Sequence, residues 1–187
     1  RLSGAAEEVV EAALRLARAR HGAIIAIERD VGLDEYAETG SVVDARVSAE
    51  MLATIFTPYS PLHDGAVLIT GDQIKTAGAI LPLTQSSVRD RSLGTRHRAA
   101  LGLSEETDAL VIVVSEETAQ ISLAVEGRLE RDVDSDRLRE VVVGNVPQHD
   151  PILAPAQAPA PEPRLSTCTD TPLGGPTGTG SSGYGFC

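Results

Sequence analysis

Apolar residues along this chain recur first at helical and then at strand spacing. That order specifies an α/β (α+β) architecture, a mixed, mostly antiparallel β-sheet core flanked by helices. Three stretches carry this reading. Val9, Val10, Ala13, Leu14, Leu16 and Ala17 recur at helical spacing between Ser3 and Arg20, and His21-Gly22 leads into Ala23 to Ile27, a continuous run suited to a strand buried on both faces. Ala66 to Thr70 and Gln73 to Leu81 flank Gly71-Asp72, a β-hairpin pattern. Ala109 to Ser115, Ile121 to Val125 and, after the turn Glu126-Gly127, Arg128 to Glu130 read as consecutive antiparallel strands.

The elements follow in order. Ser3 is placed to cap the first helix, Glu7 and Glu8 sit near the positive end of its dipole, and His21-Gly22 is its stop signal. Charged and small residues from Glu28 to Gly40 read as a loop. Ser48 can cap a helix over Ala49 to Ile55, which must end before Pro58 because the residue preceding a proline avoids helical ψ. Pro82 ends the hairpin, the polar stretch Thr84 to Ser92 is a loop, and Thr95 can cap a short helix reaching Ala100. Asp134 or Ser135 can cap a last helix reaching Val143.

Composition changes sharply at Gly144. From Val146 the chain is rich in Pro, Ala, Gly, Ser and Thr, with too little apolar surface to offset the entropy of ordering. Residues 1–143 are therefore expected to form one globular domain and 144–187 a disordered tail, with a tether to another module as the alternative. No internal repeat is present. The 187 residues suffice for one core, and 42% hydrophobic with 3% aromatic makes that core aliphatic. A net charge of -11 opposes a general nucleic-acid or anionic-membrane surface, though not a local basic site. Cys168 and Cys187 both lie in the tail, so no disulfide framework or Cys-based zinc site supports the fold. No apolar run approaches a membrane span and no signal peptide is visible, so the chain as given is expected to be soluble. A start at Arg1 rather than Met is expected of a processed or truncated piece.

Three stretches bear on chemistry. In Thr57 to Thr70, Pro58 and Pro61 keep the entry irregular and His63-Asp64-Gly65 stands where loop becomes strand, either as a plain surface turn or as a presented carboxylate. In Gly94 to Ala100, Arg96 and Arg98 flank His97. At the first turn of a helix these three can fan around a polyphosphate, with Thr95 and the unpaired N–H groups capping it; the bland alternative is a solvated basic turn. The chain has no Gly-x-x-x-x-Gly-Lys loop, so phosphates would have to be held this other way. Ser115-Glu116-Glu117 is read as ending a strand, so that at most one of the two glutamates faces a given site. Such a glutamate, with Asp64 and His63, could hold Mn²⁺ or Mg²⁺; each is alternatively a solvated turn residue or, for His63, a hydrogen-bonded structural histidine. His21 and His149 have no such company.

Three ordered strings, Thr57-Pro58 through Pro61-Leu62-His63-Asp64-Gly65-Ala66, Leu93 to Ala100, and Val113 to Thr118, resemble the diadenylate cyclase domain with its Asp-Gly-Ala and Arg-His-Arg motifs. The likeness runs from about Gly22 to Arg131 and is greatest to the membrane-anchored branch, which also has counterparts of Gly22 to Ile25 and Asp44 to Glu50. The tail has no counterpart. The resemblance implies condensation of two ATP into cyclic di-AMP with release of two pyrophosphates, dependent on a divalent metal, often Mn²⁺, at a face-to-face homodimer. It implies that Asp64 assists the ribose 3′-hydroxyl at the metal. Gly65 would leave room for nucleotide and backbone to approach, Ala66 and Glu116 would be further substrate-binding residues, Leu81 would lie at the adenine, and Thr95, Arg96, His97, Arg98 and Ser115 along the polyphosphate. His63 and Glu117 would join Asp64 as candidate metal ligands. It further implies a cytoplasmic domain tethered to the membrane by upstream helices; no nucleic-acid partner is expected, on grounds of charge. A nucleotide-binding module without turnover is the competing reading; a DNA-bound sensor is disfavoured by charge and by the lack of a C-terminal helix-rich module.

Overall fold

A computed structural model describes residues 4–85 and 93–145, all within the compact unit Arg1–Asp150. The expected Ser3 cap, most of the Thr84 to Ser92 loop and the tail from Val146 lie outside the described residues.

Helix α1, Gly4–Ala19, buries Val9, Val10, Ala13 and Leu16 on one face. It is closed by Arg20 at φ 55, whose N–H donates to the Ala17 carbonyl while the His21 N–H donates to that of Leu16. Strand β1, Ala23–Ile27, is buried throughout. The expected loop contains one helical turn, α2 (Asp34–Ala37), with no buried residue, and is followed by an unexpected strand, β2 (Ser41–Arg46), which is largely exposed. Helix α3, Ala49–Ile55, is capped by the Ser48 hydroxyl, which accepts from the Met51 N–H. The hairpin is β3, Ala66–Thr70, and β4, Gln73–Ala79, so β4 stops two residues before Leu81.

Helix α4 spans Thr95–Glu106 and continues well past Ala100. Its N-cap is Gly94, not Thr95, which is the first helical residue and whose hydroxyl makes no cap bond among the described residues. After β4 the chain crosses this helix, where a Cβ on Gly102 would run into the Pro82 carbonyl and the Thr84 N–H donates to Arg98 O at 3.0 Å. Strands β5 (Leu110–Val114), β6 (Ile121–Val125) and β7 (Arg128–Glu130) follow, then α5, Ser135–Asn145. Asp134 caps α5, its carboxylate accepting from the N–H groups of Asp136 and Arg137.

The seven strands are ordered β2-β4-β3-β1-β5-β6-β7. The β1–β3 pair is parallel and the other five are antiparallel. Strand alternation divides the core between the two faces. Ile25, Ile27, Val67, Ile69 and Ile112 pack with α1, α3 and α5, whereas Ile24, Ala26, Leu68, Val111 and Val113 pack with α4. Among the described residues no helix is long and apolar enough to cross a membrane.

Candidate active site

Strand register gathers the chemistry-bearing segments at one end of the sheet. In the parallel pair, Ile25 lies opposite Val67, so Gly22 and Asp64 each stand three residues before a paired position. Ala23 lies opposite Val114, which puts Ser115 to Glu117 on the other side of Gly22. Ala79 lies opposite Ala66, so Ile80-Leu81 leaves the sheet beside the Asp64 loop. With strands about 4.8 Å apart, the Asp64 loop and the Ser115 turn are separated by roughly 10 Å across β1. Arg96, in the first turn of α4, comes down between them: a Cβ built on Gly22 would lie 2.5 Å from its Cζ, and its Nη1 is 3.2 Å from Glu116 Oε2.

The local structure of the acid loop follows from its sequence. The Thr57 carbonyl accepts from the Ser60 N–H and the Ser60 carbonyl from the His63 N–H, two successive turns started by the prolines. His63 Nδ1 lies 2.7 Å from the same Ser60 carbonyl and must donate to it, which leaves Nε2 as the ring's acceptor nitrogen. Asp64 is exposed and its carboxylate makes no hydrogen bond among the described residues. Gly65 has φ 125, and a Cβ there would lie 2.6 Å from the Gly78 carbonyl carbon. The room at Gly65 is thus taken by β4's backbone rather than left open for a ligand. Ala66 is fully buried against the α4 side of the sheet, so its methyl group meets no ligand. Leu81 is 8% exposed and belongs to the same core, leaving Ile80, 71% exposed, as the apolar side chain on that rim.

Arg96, His97 and Arg98 do not fan around one point, because successive helical residues point about 100° apart. Arg96 is half-buried at the site and Arg98 is exposed, with no ion pair among the described residues. His97 turns inward. Its ring is buried with Nε2 3.3 Å from Ser122 Oγ on β6, and burial first, then the charges of Arg131 and Arg96, hold its pKa below the ordinary value. A neutral, core-facing imidazole corrects the expectation that it lines the polyphosphate. Thr95 is exposed in the first turn, where the N–H groups of Thr95, Arg96 and His97 have no carbonyl within the helix to pair with. That turn carries no acidic residue and two arginines, against the preference of the helix dipole by about 0.3–1 kcal/mol per charge. An anion is the partner that reverses this cost.

Ser115 to Glu117 is a turn, not the end of a strand: β5 stops at Val114, the Ala119 N–H donates to Ser115 O, and Ala119 takes φ 60. Ser115 Oγ accepts from the Thr118 N–H at 3.2 Å, and Arg20 Nη1 donates to Glu117 O at 2.9 Å. The turn directs Glu116 to Arg96. The structure does not gather His63, Asp64 and Glu117: among the described residues no group of three or more His, Cys, Asp or Glu side chains could hold a metal ion. One or two ligands from Asp64 and His63 nevertheless fit a nucleotide-borne divalent cation, which draws its other ligands from phosphate oxygens and water.

Sequence reading assigns no site role to Gly22, Gly78, Ile80 or Arg20. A glycine inside a strand signals close backbone approach, which was the available clue for Gly78. For Arg20, whose contact is 97 residues distant, there was none.

Residues 10–129 match the DAC family, described as DisA bacterial checkpoint controller nucleotide-binding. The chain belongs to this family. It is 47% identical over 137 residues to a diadenylate cyclase of Listeria monocytogenes and 46% identical over 136 residues to the cyclic di-AMP synthase CdaA of Bacillus subtilis, covering 73% of this chain in each case. The chain spans about half the length of these relatives, 50% of each. Among solved structures, a double cysteine variant of DacA from Staphylococcus aureus superposes with a TM-score of 0.73 at 43% identity, over 75% of this chain and 93% of that one. A protein from Bacillus cereus described as a hypothetical membrane spanning protein gives a TM-score of 0.66 at 46% identity, over 68% of this chain and 63% of that one. The mixed sheet with flanking helices is therefore the DAC-domain fold.

Proposed function

We propose that this chain is the catalytic domain of a diadenylate cyclase, joining two ATP into cyclic di-AMP with release of two pyrophosphates. The observation that supports it is the meeting, at one end of the sheet, of the free Asp64 carboxylate, the arginine-bearing N-terminus of α4 and the Ser115 turn, in a member of the DAC family.

In this reading each ribose 3′-oxygen attacks the α-phosphorus of the other nucleotide, the bond to the β-phosphate bridging oxygen breaks, and the 3′-hydroxyl proton passes toward Asp64. Arg96, the free N–H groups of the α4 first turn and the Ser115 hydroxyl hold the triphosphate and neutralise the departing pyrophosphate, while the exposed Arg98 adds longer-range positive charge. Ile80 and the adjoining backbone at Leu81 border the adenine. Asp64 and His63 Nε2 are the residues that would hold Mn²⁺ or Mg²⁺. Such an ion supplies charge neutralisation on phosphate oxygens and acidifies the 3′-hydroxyl. One chain offers one acid loop and one arginine turn, whereas the product needs two bonds made reciprocally, so two copies face each other. In a longer protein the domain would be held at the cytoplasmic side of a membrane.

Incubation with ATP and Mn²⁺, with product mass as readout over a protein dilution series, tests the proposal. Cyclic di-AMP should form with specific activity rising with protein concentration until the dimer saturates. ATP binding without pyrophosphate release at any concentration would instead identify a silent nucleotide-binding module.

A further inference from the structure

We propose that Gly22 is a positioning residue for the nucleotide site: the side chain missing there is the seat of the Arg96 guanidinium, and Gly22 acts on polyphosphate binding through Arg96. This rests on the assignment of Arg96 to the triphosphate made above.

Nothing in the backbone demands a glycine at this position. The turn out of α1 is made by Arg20 in the left-handed region, so the expected role of Gly22 as the helix stop is already filled, and Gly22 itself lies outside that region. What the position lacks is room. The three heavy atoms nearest an added Cβ all belong to one guanidinium: Arg96 Cζ at 2.5 Å, Nη1 at 2.6 Å and Nε at 2.9 Å. The group therefore lies against the Gly22 backbone, centred on the place a side chain would occupy, and Gly22 is buried. The same junction also steadies the guanidinium through its Nη1. Arg20, two residues earlier, donates to Glu117 O and so ties down the turn from which Glu116 reaches Arg96 Nη1 at 3.2 Å.

The consequences for fold and site diverge. An alanine at Gly22 meets the far end of a flexible side chain, so the fold accommodates it by letting the guanidinium move, and alanine loses less backbone freedom on folding than glycine. Restoring an ordinary carbon contact of about 3.5–4.0 Å from 2.5 Å displaces the guanidinium by more than about 1 Å, and misplacement on that scale can cost about 10²-fold in function.

The test is a double-mutant cycle on the full chain, with ATP affinity measured by calorimetry in Mn²⁺ and thermal unfolding measured alongside. Gly22→Ala is expected to weaken ATP binding by about 10- to 100-fold with an unchanged or raised Tm, Arg96→Ala to weaken it at least as much, and the double variant to bind no more weakly than Arg96→Ala alone. Wild-type affinity in Gly22→Ala overturns the inference, as do additive losses in the double variant. A fall in Tm for Gly22→Ala that persists beside Arg96→Ala also overturns it, because the glycine is then a packing requirement independent of the arginine. If the wild-type chain itself binds no ATP, the functional assignment of the site falls and this inference falls with it; binding by the wild type but equally by Gly22→Ala removes only the latter.

Discussion

Gly65 and Gly78 meet face to face at the mouth of the β3–β4 hairpin, where a Cβ on Gly65 would lie 2.6 Å from the Gly78 carbonyl carbon and 2.8 Å from its Cα. Gly65 also holds φ 125, so an alanine there is strained by its own backbone and collides with an immovable one. Gly65→Ala should lower the free energy of unfolding by about 2–6 kcal/mol, the sum of a strained conformation and an overpacked contact. Denaturant titration monitored by circular dichroism measures this; a loss under about 1 kcal/mol would show that the hairpin can spread to admit the methyl group.

Arg96 and Arg98 should differ in kind. Arg96 is half-buried, seated on Gly22 and directed by Glu116, while Arg98 is exposed. Removing a charge-assisted contact from a partly desolvated group costs about 2–3 kcal/mol, so Arg96→Ala should weaken ATP binding roughly 30- to 150-fold. Arg98→Ala should cost about 1 kcal/mol or less, and that loss should vanish in high salt, where an exposed cation is screened, while the Arg96 loss largely persists. Calorimetric titrations at low and high salt separate the two, and equal losses with equal salt dependence would count against the asymmetry.

The central strands were legible because β1 and β5 are buried along their whole length and so are written almost entirely in aliphatic residues. Strand β2 was not, since it is an exposed edge with a bulge between Val42 and Ala45 and Asp44 at φ 50, and neither alternation nor apolar content marks it. The site divides in the same way. Its motifs announce which residues belong together, and register brings Asp64 and Arg96 to one end of the sheet. Motifs do not announce direction. That His97 faces Ser122 depends on which side of α4 packs on the sheet, and that Glu116 faces Arg96 depends on a left-handed Ala119, a conformation its sequence does not signal.

Asp64 is exposed and its carboxylate makes no hydrogen bond among the described residues, so it braces no part of the fold. Asp64→Asn should therefore leave the unfolding free energy within about 0.5 kcal/mol of wild type. It should nevertheless lower cyclic di-AMP formation at saturating ATP and Mn²⁺ by at least about 10²-fold, the range for loss of a proton acceptor at the reacting group. Single-turnover product analysis on dimer-saturated protein provides the measurement. Retained turnover would take the proton transfer away from Asp64 and leave it as surface.

Stability below neutral pH should report His97. Its folded pKa lies below the ordinary 6.5 because burial and the nearby arginines Arg131 and Arg96 disfavour the imidazolium, so the unfolded chain binds the proton that the native one refuses. Above about pH 6.5 both states are neutral and the contribution of the group is fully present. As pH falls through that value, stability is lost progressively until the depressed folded pKa is reached. His97→Asn cannot titrate, and its amide can still bond Ser122 Oγ, so its unfolding free energy should fall less steeply than that of wild type as the pH is lowered from 7.5 to 5.5, whatever its absolute stability. Denaturant midpoints collected across that interval decide the matter: parallel slopes for the two proteins would mean that the imidazole takes up its proton in the folded state as readily as in water, and that it is not sealed between α4 and β6.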